Sequence, residues 1–170
     1  SDGTTRQHYF YYNDLMFYSF DETYRYQSTL AKASLCLAMS AFTNCENEVW
    51  DINLATQDHR RAYNVQRLYQ TLGFTNDQYY NYDKALTDTS DKVAFSIAMK
   101  YIDDGEGNTD TLIAIPLRGG GYGGEWGSNF NITYQNYNQN HVGFQRAANG
   151  VRSELAAYLG QLQQSGKIKG

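Results

Sequence analysis

Residues 111–117, Thr-Leu-Ile-Ala-Ile-Pro-Leu, carry no charged side chain, and Arg118 and a six-residue run with five glycines follow directly. A continuous apolar stretch of this length is what a strand covered on both faces requires. Upstream, from Lys92 to Ile102, Val93, Phe95, Ile97, Met99 and Tyr101 alternate with Ala94, Ser96, Ala98 and Lys100, a period of two that marks another strand. The intervening DDGEGNTD (Asp103–Asp110) reads as a hairpin loop, so the two strands form an antiparallel pair. Its acidic residues bring calcium to mind, but their spacing fails the EF-hand pattern and no distal glutamate follows. Pro116, the one proline of the chain, lacks a backbone donor and predicts that the second strand leaves the sheet near its end.

Helical patterns flank this hairpin. Ser28 or Thr29 can cap a helix in which Leu30, Ala33, Leu35, Leu37, Ala38, Ala41 and Phe42 spread an apolar face almost all round, which predicts a largely buried helix. A second helix spans about 58–72, with Asp58 as cap, Ala62, Val65, Leu68, Tyr69 and Leu72 as its stripe and Gly73 as its stop. The polar, tyrosine-bearing segment after it reads as a loop. The last helix covers about 143–163, with Phe144, Ala147, Ala148, Val151, Leu155, Tyr158, Leu159 and Leu162 as its stripe. Residues 1–27 are aromatic and without a period, an irregular segment laid over the core. The expected class is α/β in layers, one domain over residues 1–170.

Composition narrows the functional classes. The chain has 170 residues, 41% apolar and 19% charged, with a net charge of −4 and no basic cluster beyond Arg60-Arg61. That argues against nucleic acid or an anionic membrane as the main partner. No stretch approaches the ~20 apolar residues of a membrane span. Sixteen tyrosines and few lysines suit an extracellular or cell-surface protein. Cys36 and Cys45 would lie ~13 Å apart on one continuous helix, too far to bridge. Two free thiols are therefore the default, and a disulfide needs the helix to end before Cys45. No His, Cys or carboxylate cluster has metal-ligand spacing, and no cofactor is expected.

The glycine run Gly119–Gly124 is the most informative local feature. Gly119-x-Gly121-x-x-Gly124 formally matches a dinucleotide fingerprint, but that motif must open a helix, and the following EWGSNFNITYQNYNQN is not helical. Two readings stay level on these residues alone: a loop presenting bare backbone N–H groups to a developing oxyanion, and a surface turn without a role.

A wider pattern bears on that choice. LIAIPLRGGGYGGEWGSNFNI followed by HVGFQRAANGVRSELAAYL resembles the class 3 lipases, a group of α/β-hydrolases with bacterial lipase-like members. The matching residues are Arg118-Gly119, Glu125-Trp126, Asn129 and His141-x-Gly143-Phe144. The upstream helix LAKASLCLAMSAF, the segment LYQTLGF and the hairpin extend the resemblance from about Tyr24 onward. It implies a partial α/β-hydrolase fold, with Gly120, and beside it Gly119, at the oxyanion-hole position, where many relatives carry Ser or Thr. Arg118, Glu125, Trp126, Asn129, Gly143 and Phe144 become its supporting motif. His141 falls in the His-x-Gly-Phe turn, where bonding to local backbone is the expected role.

A serine hydrolase also needs a nucleophile, a base and an acid. None of the ten serines stands in Gly-x-Ser-x-Gly, and Ser128 lies between Gly127 and Asn129. The resemblance places the nucleophile strand after a helix such as 143–163, with the acid and base further on. The expectation is thus the N-terminal portion of a secreted carboxylic ester hydrolase, inactive alone, whose partners are the remaining C-terminal portion and an ester or lipid substrate. With those strands missing, residues 111–117 would keep an unpaired edge that invites a homo-oligomer. The alternative is a non-catalytic extracellular module that binds carbohydrate or protein through Tyr79, Tyr80, Tyr82, Trp126, Tyr134 and Tyr137 in exposed loops.

Overall fold

The computed structural model describes residues 9–18, 26–41, 62–82, 92–118 and 141–169. In chain order it has a 3₁₀ turn (Asp14–Phe17), α1 (Ser28–Ser40), α2 (Tyr63–Leu72), β1 (Thr75–Tyr80), β2 (Phe95–Asp103), β3 (Thr109–Ala114) and α3 (Val142–Gln164). The strands form one antiparallel sheet in the order β1-β2-β3. Helices cover both faces, which makes a mixed α/β layer structure.

The alternation along β2 divides the core. Phe95, Ile97 and Met99 join Tyr158 and Leu162 of α3, with Ile113, Ile115, Val151, Leu155 and Leu159 packed around them. On the other face Ala94 and Ala98 meet Ala62, Val65, Tyr69 and Phe74, flanked by Leu37 of α1 and Leu112 of β3. Small residues on this second face let α2 approach closely, while the large ones on the first fill the space beneath α3.

Of the two hairpin strands, β2 begins at Phe95 and β3 pairs from Thr109, in the register Met99↔Ile113 and Asp103↔Thr109. The turn between them is held by Asp104, whose carboxylate accepts from the backbone N–H groups of Glu106 and Asn108. The regular strand ends at Ala114, two residues before Pro116, in line with the expected exit, but an isolated antiparallel bridge between Phe95 and Leu117 lies beyond it. Ser96 N–H donates to the Pro116 carbonyl at 3.2 Å, and Arg118 N–H donates to the Ala94 carbonyl at 2.8 Å. Contact with β2 therefore runs on in the same register to Arg118, and the proline removes one donor.

Strand β1 occupies residues that read as a loop. Its sequence, Thr-Asn-Asp-Gln-Tyr-Tyr, has no apolar alternation, and its register slips between Thr75 and Gln78, where Asn76 takes a positive φ of 55°. Such a polar edge strand forms because β2 supplies a pairing partner and Tyr79 and Tyr80 supply the burial.

The helices differ in smaller ways. Helix α1 is not largely buried: Ala33 is buried and Leu37 packs on the core, but Leu35 is 57% and Met39 64% exposed. Apolar residues surround it, and one stripe meets the sheet. Ser28 and Thr29 lie inside the helix, and Gln27 stands at the cap without a side-chain bond. For α2, Asp58 lies outside the described residues, and Ala62 is at the cap. Gly73 does end α2, with φ 78°, and Phe74 N–H closes back on the Tyr69 carbonyl at 2.8 Å. Cys36 is a free thiol on α1, and Cys45 lies outside the described residues. Among the described residues no helix is long and apolar enough to cross a membrane, and no group of three or more His, Cys, Asp or Glu is placed to hold a metal ion.

Candidate functional site

The candidate site begins at the end of this described segment. Arg118 is the last described residue, still bonded to β2, and Gly119 follows it in sequence. An even-numbered residue in this part of the chain faces the α1/α2 side, as Leu112 and Ala114 do. Arg118 accordingly turns its side chain inward and is 1% exposed. Its guanidinium carbon lies 5.1 Å from the centroid of the Tyr82 ring, and Tyr82 is itself fully buried. A desolvated cation over an aromatic face gains ~2 kcal/mol. The backbone bond to Ala94 and this stacking hold the strand end at two points.

The second described part of the motif opens α3. His141 is the N-cap residue, with extended backbone, and its Nδ1 accepts the Phe144 N–H at 3.4 Å. An accepting Nδ1 places the ring proton on Nε2. The imidazole stacks on the Phe144 ring at 4.4 Å, with the planes 25° apart. Gly143 is buried in the first turn, whereas Phe144, expected in the core stripe, is 55% exposed. It serves the cap, because its ring is engaged by His141 and α3 turns Tyr158 and Leu162 to the sheet instead.

Thus His141, Gly143 and Phe144 come together at one helix start, and Arg118 is anchored at the strand end. Gly119, Gly120, Glu125, Trp126 and Asn129 lie outside the described residues. So do Trp126, Tyr134 and Tyr137 of the aromatic-module reading. The other three residues of that reading are not exposed loop aromatics. Tyr79 packs on the α1/α2 core and donates to Asp77, Tyr80 stacks on Phe95 at 4.7 Å, and Tyr82 is buried under Arg118. Sequence reasoning missed Tyr82 as a partner of Arg118. The signal was present as an aromatic residue two places beyond a tyrosine pair, but β1 had to be recognised first.

A cavity of about 400 Å³ lies between α1 and β3. It is lined by Ala33, Leu37 and Ala38 of α1, by Tyr12 and Phe17, and by every residue from Leu112 to Leu117. Leu72 and Phe74 also line it, which places the cavity on the α1/α2 side of the sheet beside β3 and the residues that follow it.

No family model matches the chain, and neither the curated proteins nor the solved structures give a match.

Proposed function

We propose that this chain supplies the oxyanion side of a carboxylic ester hydrolase of the class 3 lipase type, acting outside the cell or at its surface. The observation that carries the reading is the fixed strand end. Pairing persists through Arg118 N–H, and the Arg118 side chain is buried over Tyr82, so the glycine run starts from a held backbone. An oxyanion donor works only if it is preorganised, because one such N–H contributes ~3 kcal/mol to the transition state when correctly aimed. The support among the described residues reaches Arg118, and the resemblance puts the oxyanion position two residues on, at Gly120, where the side-chain hydroxyl of many relatives is missing. The capped start of α3 at His141 agrees with the His-x-Gly-Phe element of the resemblance, and an imidazole spent on Phe144 N–H is a poor candidate for the catalytic base. The nucleophile must come from outside these residues, since no Gly-x-Ser-x-Gly occurs among them.

Reading the coding frame beyond Gly170 tests this. An apolar strand followed by Gly-x-Ser-x-Gly/Ala, with Asp and His further on, is the expected result. A stop codon directly after Gly170 would overturn it.

A further inference from the structure

The slip in β1 opens a polar pocket against the end of α3, and we infer that this pocket binds a free α-amino acid, its ammonium toward Asp77 and its carboxylate toward Lys167. This stands apart from the catalytic reading. Between Thr75, opposite Met99, and Gln78, opposite Ile97, β1 carries two residues where β2 carries one, and Asn76 takes its positive φ there. Such a bulge re-aims side chains that would otherwise alternate between the two faces. Asn76, Asp77 and Gln78 accordingly line one pocket in succession, about 300 Å³ in volume, with Tyr158, Gln161, Ser165 and Lys167 across from them. That volume is at the lower limit of ligand sites and suits a small molecule.

The neutral side chains of the lining are largely occupied by the protein itself. Gln78 donates to Gln161 at 2.9 Å and accepts from the Tyr80 hydroxyl. Asn76 donates to Thr75 at 3.1 Å, and the Ser165 hydroxyl turns to the carbonyl oxygens of Gln161 and Leu162. A polyol would find these groups taken, so the charges decide what the pocket recognises.

Two opposite charges line the space, and each is bonded to a neutral partner instead of to the other. Lys167 Nζ donates to the Asn76 side-chain oxygen, and Asp77 accepts from the Tyr79 hydroxyl. An ammonium has three donors and a carboxylate about four acceptor sites, so both keep most of their capacity. These bonds also fix the two heads, and the Tyr101 hydroxyl holds the Lys167 carbonyl at 2.6 Å. On the α3 wall the Tyr158 hydroxyl is buried without a partner among the described residues, close to the Asp77 carboxylate that helps to raise it. An orphaned hydroxyl beside a half-used carboxylate marks polar capacity that a ligand ammonium satisfies.

Titration of the 170-residue chain with L-alanine, followed by amide NMR shifts, tests the site. The expected result is saturable shifts at Asn76, Asp77, Gln161 and Lys167. L-Alaninamide lacks the carboxylate and N-acetyl-L-alanine lacks the ammonium, and each should bind roughly tenfold more weakly, the loss of one hydrogen bond to a charged group. Lys167→Met, at an exposed position, and the isosteric Asp77→Asn should weaken L-alanine by the same factor with the circular dichroism unchanged. Shifts that never saturate mean a pocket holding solvent only and overturn the proposal. Equal binding of either blocked analogue overturns it as well, since a single charge would then suffice. So does L-alanine binding that resists both substitutions.

Discussion

The ammonium of Lys100 donates to the carbonyl oxygen of Leu72 at 2.6 Å, so a strand residue closes the C-terminal end of α2. The same nitrogen meets the Asp14 carboxylate at 2.7 Å and lies 5.3 Å from the Tyr12 ring centroid. One cation thus ties together the 3₁₀ turn, the end of α2 and the middle of β2. Lys100→Met should lower the unfolding free energy by about 2 kcal/mol, the value of a charged hydrogen bond in a partly buried place. Asp14→Asn should cost less, about 0.5 kcal/mol, because that partner is nearer to solvent. Urea midpoints of the two variants check the order.

Gly73 and Gly150 should respond to alanine with opposite signs. At Gly73 φ is +78°, and a Cβ would meet Lys100 Nζ only at an ordinary 3.5 Å. The cost of Gly73→Ala is then the left-handed backbone, about 1 kcal/mol. Gly150 lies inside α3, and a methyl group there would meet no described atom within 4 Å beyond its chain neighbours and the helix's own backbone. Gly150→Ala should stabilise by about 1 kcal/mol through helix propensity. Thermal midpoints moving apart in these directions would confirm both.

The hydroxyls of Tyr69 and Ser96 bond to each other at 2.8 Å in the buried layer between α2 and β2. Removing one should strand the other. Tyr69→Phe is expected to cost about 1–2 kcal/mol, and adding Ser96→Ala should recover part of that loss. A double-mutant cycle in urea measures the coupling.

Alkaline pH should loosen the α3 face of the sheet. Burial, and then the nearby Asp77 carboxylate and Tyr80, push the Tyr158 hydroxyl up to about 12. An unfolded tyrosine ionises near pH ~10. Folding keeps the hydroxyl neutral at no cost below about pH 10, and stability is lost as pH rises from there toward about 12, where the unfolded chain ionises and the buried hydroxyl does not. Tyr158→Phe should flatten this part of the stability–pH curve. It should cost little at neutral pH, because the Tyr158 hydroxyl is buried without a hydrogen-bond partner among the described residues.

The hairpin, both later helices and the stop at Gly73 were legible because each rests on local chemistry: period two, a period near 3.6, and a residue free to take positive φ. Strand β1 was not, since its stability comes from β2 and from tyrosines whose burial depends on the fold. The exposure of Leu35, Met39 and Phe144 was hidden for a related reason, as periodicity gives a residue's face but not what covers it. Pro116 marked the end of the regular strand, which stops at Ala114, but not the isolated bridge at Leu117, because that contact depends on the register with β2. At the candidate site, Arg118 and His141 stood out by sequence, whereas the Tyr82 ring beneath Arg118 required the sheet.

The proposed function rests on the backbone at Gly120 stabilising an oxyanion, and ester hydrolysis by the protein encoded through and beyond Gly170 is the decisive assay. On a short-chain p-nitrophenyl ester, Gly120→Pro should lower kcat by ~10²–10³ with KM little changed, because only the transition state uses that donor. The 170-residue chain alone should show no turnover. Full activity in a folded Gly120→Pro protein, or turnover by the 170 residues without a further segment, would contradict this role.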